Sequence, residues 1–218
     1  MASFLRVEDP NGTAAGLLIP LLADIDRRRG RARLAVAGGS AVAVLGAVRQ
    51  GLQGGVWSRL LLTWVDERCV AWADPQSNRG AAYRDGQLDS LDPPALELPL
   101  YLDGETPPEA CARVAAALRQ EFQGGLDVLL LGMGEDGHIA SLFPGRPFER
   151  IGGPPVFAVP DSPKPPARRI TLALSMLATA ERAVLVAAGP GKRAALDRLA
   201  QGDPELPASA LGDLTVIS

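Results

Sequence analysis

The chain has 218 residues, 22 Lys and Arg against 25 Asp and Glu, a formal charge of −3 and 47% hydrophobic residues. That length suits one domain, residues 1–218, with a full core, and the near-neutral charge excludes the basic footprint of a nucleic-acid or membrane-surface binder. No run reaches the roughly 18 consecutive apolar residues of a membrane span, and residues 1–6 lack the charged-then-apolar pattern of a secretory signal.

Residues 13–29 carry apolar positions at helical spacing, with Thr13 as a possible N-cap and Gly30 as the stop. Residues 34–37 form a short apolar run of the buried-strand kind, broken by Gly38, Gly39 and Ser40. A second helix is expected at 41–52, and a second buried strand at 60–65 running into Asp66, Glu67 and Arg68. Residues 73–108 are rich in Pro, Asp and Ser and hold at most a short helix and an edge strand. Pro107 or Pro108 opens a helix through Cys111, Val114 and Leu118. A third buried strand at 127–131 leads into Gly132-Met133-Gly134-Glu135-Asp136-Gly137-His138. Strands follow at 156–159 and 169–174, the latter leading into a short helix, then another at 183–188. Gly189-Pro190-Gly191-Lys192 opens the last helix, and residues 214–217 suggest an edge strand. Apolar strands alternating with helices predict an α/β domain, a mostly parallel sheet flanked by helices.

The residues with chemical potential cluster at the carboxyl ends of these strands, where open α/β sheets bind ligands. Gly38, Gly39 and Ser40 stand between a strand and a helix. That arrangement either brings an anion against backbone N–H groups or is simply a tight turn with Ser40 as cap. Residues 132–137 match G-x-G-x-x-G, but Glu135 and Asp136 would face a pyrophosphate, and six residues before Pro144 leave no room for a crossover helix. A dinucleotide site is therefore not expected. His138, the only histidine, lies beside Asp136 and two glycines and suits a general base near neutral pH. No G-x-S-x-G elbow occurs, and Ser141 reads as helix surface or packing. One His with Cys69 and Cys111 cannot assemble the usual zinc ligands, so no metal is expected. Two cysteines also make no disulfide framework, which fits a reduced, cytoplasmic protein.

The basic residues divide by setting. Asp66, Glu67 and Arg68 are either a charge-balanced turn or the rim of a site. Only two lysines are present, Lys164 and Lys192. Lys164 is fenced by prolines, which stiffen its loop for an anion. Lys192 begins a helix, an unfavourable place for a cation, so a compensating anion is expected there. Arg169 starts a strand.

Residues 131–145, Leu-Gly-Met-Gly-Glu-Asp-Gly-His-Ile-Ala-Ser-Leu-Phe-Pro-Gly, closely resemble the signature of the 6-phosphogluconolactonases. Val65-Asp66-Glu67-Arg68-Cys69-Val70 with Ser77-Asn78 is similar to that family's second signature. Ala37 to Ser40, Lys164-Pro165-Pro166, Arg169-Ile170-Thr171 and Gly189-x-x-Lys192 follow in the family's order. The resemblance implies a Rossmann-like fold without nucleotide or metal. It also implies hydrolysis of 6-phospho-D-glucono-1,5-lactone in the oxidative pentose phosphate pathway. His138 would activate water, with Arg68 and Lys164 on the substrate. Gly38, Gly39, Ser40, Asp66, Asp136, Arg169 and Lys192 would surround them. Of the cations, Lys164 is expected to anchor the phosphate. The implied partner is a small sugar phosphate, with no nucleic acid or membrane, for a monomer or weak dimer. One departure is that Ala41-Val42 replace the family's frequent Thr-Pro. The related glucosamine-6-phosphate deaminases carry a glutamate where Phe143 stands, and Phe143 cannot transfer a proton. A sugar-phosphate sensor would need a DNA-binding helix-turn-helix, for which no N-terminal extension is expected.

Overall fold

A computed structural model describes residues 2–147 and 153–218. Its elements in chain order are β1 (Ser3–Leu5), α1 (Pro10–Arg29), β2 (Arg33–Val36), α2 (Ala41–Gly51), β3 (Leu61–Trp64) and β4 (Asp66–Arg68). Next come α3 (Asn78–Arg84), β5 (Leu96–Leu98), α4 (Pro107–Gln120), β6 (Val128–Gly132), β7 (Val156–Val159) and β8 (Arg169–Leu172). The chain ends with α5 (Leu174–Leu177), β9 (Arg182–Val186), α6 (Arg193–Ala200) and β10 (Leu214–Ile217).

Seven strands make one sheet in the order β1-β10-β9-β6-β2-β3-β5, and every neighbouring pair is parallel. The expected mostly parallel α/β sheet is therefore present. Its inner strands are buried throughout, with Leu34, Leu62, Trp64, Leu129, Leu130 and Leu185 fully enclosed. Near-continuous apolar runs arise because helices cover both faces of such a sheet. From β2 the chain moves to β3 and β5 on one side, then returns to β6, β9 and β10 on the other. Connections thus leave β2 and β6 in opposite directions, which opens a crevice above their carboxyl ends.

Three strands leave that sheet. β4, β8 and β7 form a separate antiparallel sheet, with Arg68 opposite Arg169 and Arg169 opposite Val159. It stands over the carboxyl end of β3 and makes one wall of the crevice. Asp66, Glu67 and Arg68 are accordingly strand residues, not a turn. Glu67 is buried and accepts from the backbone N–H groups of Arg68, Asn78 and Arg79 at 2.8 Å each. Two of those amides open α3, so the carboxylate caps the helix and ties it to β4.

Local signals shift some boundaries. α1 begins at Pro10, because Asp9 accepts from Gly12 N at 2.9 Å; Thr13 lies inside the first turn. It ends as expected at Gly30, whose φ of 78° is left-handed. β10 lies between β1 and β9, so the edge belongs to β1. A three-residue exposed strand leaves no alternation from which to foresee it. Lys192 ends a short 3₁₀ turn, Pro190–Lys192, ahead of α6. At the opposite end of the sheet, fully buried Asp127 takes a fork from Arg33 at 2.6 and 3.0 Å.

Candidate active site

The crevice holds a cavity of about 450 Å³. Gly38, Gly39, Ser40, Asp66, Arg68, His138, Lys164, Arg169 and Lys192 all line it, so nine residues singled out in the sequence converge on one site. Asp136, the tenth, stands behind His138.

The floor is the turn from β2 to α2. Gly38 admits no side chain, since a Cβ there would lie 2.0 Å from Asn78 Oδ1. Gly39 has a φ of 67°. Ser40 has helical backbone angles and its side chain makes no cap bond, so the alternative of Ser40 as helix cap fails. Its hydroxyl faces the cavity beside the uncapped N–H groups of α2.

The loop after β6 is closed upon itself. Gly134 N donates to His138 O at 2.8 Å, and Gly137 N donates to Gly134 O at 3.0 Å. A Cβ on Gly134 would fall 2.0 Å from His138 Nδ1 and 2.4 Å from Asp136 Oδ1. These glycines therefore serve to fold the loop over His138, and among the described residues no helix follows it to bind a pyrophosphate. His138 Nδ1 donates to Asp136 Oδ1 at 2.5 Å, as a carboxylate can only accept. That bond places the proton on Nδ1 and leaves Nε2 as the basic nitrogen. Phe143 packs on the imidazole, centroids 4.6 Å apart. Burial pushes the His138 pKa below its usual 6.5, against the opposing pull of Asp136. Burial acts to raise Asp136, but the bond and charge of His138 outweigh it and hold the carboxyl below its usual range.

The cations differ in how far they are committed. Lys164 Nζ lies 3.4 Å from Asp136 Oδ1, at the imidazole end of the cavity. Lys192 has no carboxylate partner among the described residues, so no side chain there supplies the compensating anion expected for it. Arg68 Nη1 donates to Gln76 O at 2.7 Å, while its buried Nε has no partner. Arg169 is almost fully buried and held by Pro166 O, Lys164 O and Pro165 O at 3.0–3.1 Å.

Three contributors escaped the sequence. Ser141 is buried outside any helix and donates to Asp66 Oδ2 at 2.6 Å. Asn78 Nδ2 donates to Asp66 O at 3.0 Å and backs Gly38. Phe143 buttresses His138. Asn78 and Ser141 sit inside the two motifs quoted above, and that was their only signal. Among the described residues no group of three metal-ligating side chains converges, and no helix is long and apolar enough to cross a membrane.

The family model for glucosamine-6-phosphate isomerases/6-phosphogluconolactonase matches residues 10–216. A 6-phosphogluconolactonase of Rattus norvegicus is 37% identical over 195 residues, covering 85% of this chain and 75% of the relative. One of Caulobacter vibrioides is 35% identical over 217 residues, covering 97% and 91%. The crystal structure of a 6-phosphogluconolactonase from Shewanella baltica superposes with a TM-score of 0.83 at 22% identity, covering 100% of this chain and 98% of that one, a likeness of fold.

Proposed function

The chain belongs to the family of glucosamine-6-phosphate isomerases and 6-phosphogluconolactonases, and from that premise we propose how its cavity does its work. The enzyme is a 6-phosphogluconolactonase, hydrolysing 6-phospho-D-glucono-1,5-lactone to 6-phospho-D-gluconate in the pentose phosphate pathway. His138 Nε2 takes a proton from water as the water oxygen attacks the lactone carbonyl. The charge that develops on the carbonyl oxygen meets the cation of Lys164 beside the imidazole, in a cavity that Arg68 also lines. As the bond from the carbonyl carbon to the ring oxygen breaks, the imidazolium returns its proton to that oxygen. A lactone is already an activated ester, so one base and a few cations suffice. The observation that carries this reading is the Asp136-oriented imidazole set into a cationic cavity.

The phosphate fits the other end. Lys192, free of carboxylates among the described residues, lines the cavity together with Ser40, whose side chain makes no cap bond at the N-terminus of α2. A helix N-terminus with a glycine turn suits an anion. This assigns the phosphate to Lys192 and the reacting end to Lys164, the reverse of what the stiff proline loop suggested. Arg68 serves either the oxyanion or a substrate hydroxyl. Phe143 takes the position of the deaminase glutamate, and its ring offers no acid. We read residues 1–218 as a single cytoplasmic domain, a monomer or weak dimer, with a small sugar phosphate as its partner.

The test is hydrolysis by pH-stat, set against the appreciable spontaneous opening in a no-enzyme control. Lys192→Ala is expected to lower kcat/KM about 10–150-fold for the phosphorylated lactone, the value of a charge-assisted contact. Unphosphorylated gluconolactone should be affected far less. An equal loss on both substrates would move Lys192 to the reacting end.

A pH prediction follows from the imidazole. Because burial lowers the His138 pKa, the acid limb of kcat/KM, where the base becomes protonated, should have its midpoint below pH 6.5. A midpoint above pH 6.5 in the rate profile would count against His138 as the base.

A further inference from the structure

We propose that Arg169 is a positioning residue and not a substrate ligand: its guanidinium holds the loop that carries Lys164, and so sets Lys164 Nζ against the Asp136–His138 pair. The proposal deepens the lactonase reading of this site and rests on Lys164 acting at the reacting end.

The argument is one of donors. A guanidinium has five N–H groups. Arg169 Nε donates to Pro166 O at 3.0 Å, and Nη2 donates to Lys164 O at 3.0 Å and Pro165 O at 3.1 Å. Nη1 donates to Ser141 Oγ at 3.3 Å and lies 3.7 Å from Asp66 Oδ2. At most one N–H is left over, although the residue lines the cavity. Arg68, across the strand pair, contrasts with it: its buried Nε has no acceptor.

The loop needs those donors. Pro163, Pro165 and Pro166 have no backbone N–H, so three successive carbonyls, 164 to 166, find little local hydrogen bonding. Ser162 supplies two bonds, its N–H to Ala167 O at 2.8 Å and its hydroxyl to Lys164 O at 2.9 Å. Arg169 supplies the rest in one planar fork. The same side chain reaches the His138 loop through Ser141, which donates to Asp66 at 2.6 Å, and through Phe143, 5.9 Å below the guanidinium and stacked on His138. Lysine at 169 would keep the charge but place three donors on one nitrogen, unable to span three carbonyls.

Among the described residues the charged groups facing His138 are Asp136, Lys164 and Asp66, and Lys164 lowers its pKa. With one histidine in the chain, an NMR titration reads a single imidazole. In Arg169→Lys that titration is expected to rise to the value seen in Lys164→Ala, and the double variant to match either single one. In parallel, kcat/KM should drop about 10–150-fold in each single variant, with the double variant within about threefold of the worse. Multiplying losses in the double variant, or an Arg169→Lys imidazole that titrates as wild type, would overturn the proposal. A second measurement uses the unaltered protein: on adding 6-phosphogluconate, the Arg68 Nε–H resonance should shift and that of Arg169 should not. A comparable shift at Arg169 would also overturn it. The NMR arms need no turnover, so a failed lactonase assay remains a separate result.

Discussion

Replacing His138 by Ala or Asn is expected to lower kcat by about 10²–10⁴-fold, with a modest change in KM. The imidazole is the only one in the chain, and Asp66, the buried carboxylate of the cavity, is engaged by Ser141 and Arg169. Asp136 stands behind the imidazole and does not line the cavity. Glu67 is turned away from the cavity into the backbone of α3. The modest KM change is expected because the phosphate contacts proposed above do not involve His138. A folded variant with kcat within about threefold of wild type would remove the general base from the mechanism.

Asp136→Asn should be nearly as damaging, about 10²–10⁴-fold in kcat, although it changes only one atom. An Asn side chain can present its NH₂ to Nδ1 as readily as its oxygen. In that pairing the imidazole carries its proton on Nε2 and cannot accept one from water. The pH profile distinguishes this from unfolding. Asp136 raises the His138 pKa by hydrogen bond and charge, so its loss should move the acid limb to lower pH while the plateau drops. Lys164 also loses its ion-pair partner, and its charge then acts on the imidazole unopposed, in the same direction. An acid limb that moves up, or a plateau near wild type, would mean that Asp136 does not orient the base.

Much of this site was legible in the linear chain, for local reasons. Apolar runs at 34–37, 60–65 and 127–131 read as buried strands, and glycines after the first and third need left-handed or crowded backbone. Gly39, Gly134 and Gly137 are such positions. Strand ends in a doubly covered sheet gather on one side, so Ser40, His138 and Lys192 are brought together by the sheet itself, whereas Lys164 reaches the site from the separate antiparallel sheet. The His138–Asp136 bond is likewise a contact between residues two apart.

What each cation faces was decided only by tertiary structure. Lys164 and Lys192 look alike in sequence, and one ends beside Asp136 while the other has no such neighbour among the described residues. The pairing of β8 with β4 and β7 could not be read either, because periodicity says that a segment is a strand and not which edge it joins. Arg169 reads as one more basic residue until its acceptors are counted, and Ser141 as packing until Asp66, 75 positions away, is found at 2.6 Å. Hydrogen-bond saturation separates a ligand-binding group from a structural one. It depends on neighbours brought in from distant segments, which local pattern does not encode.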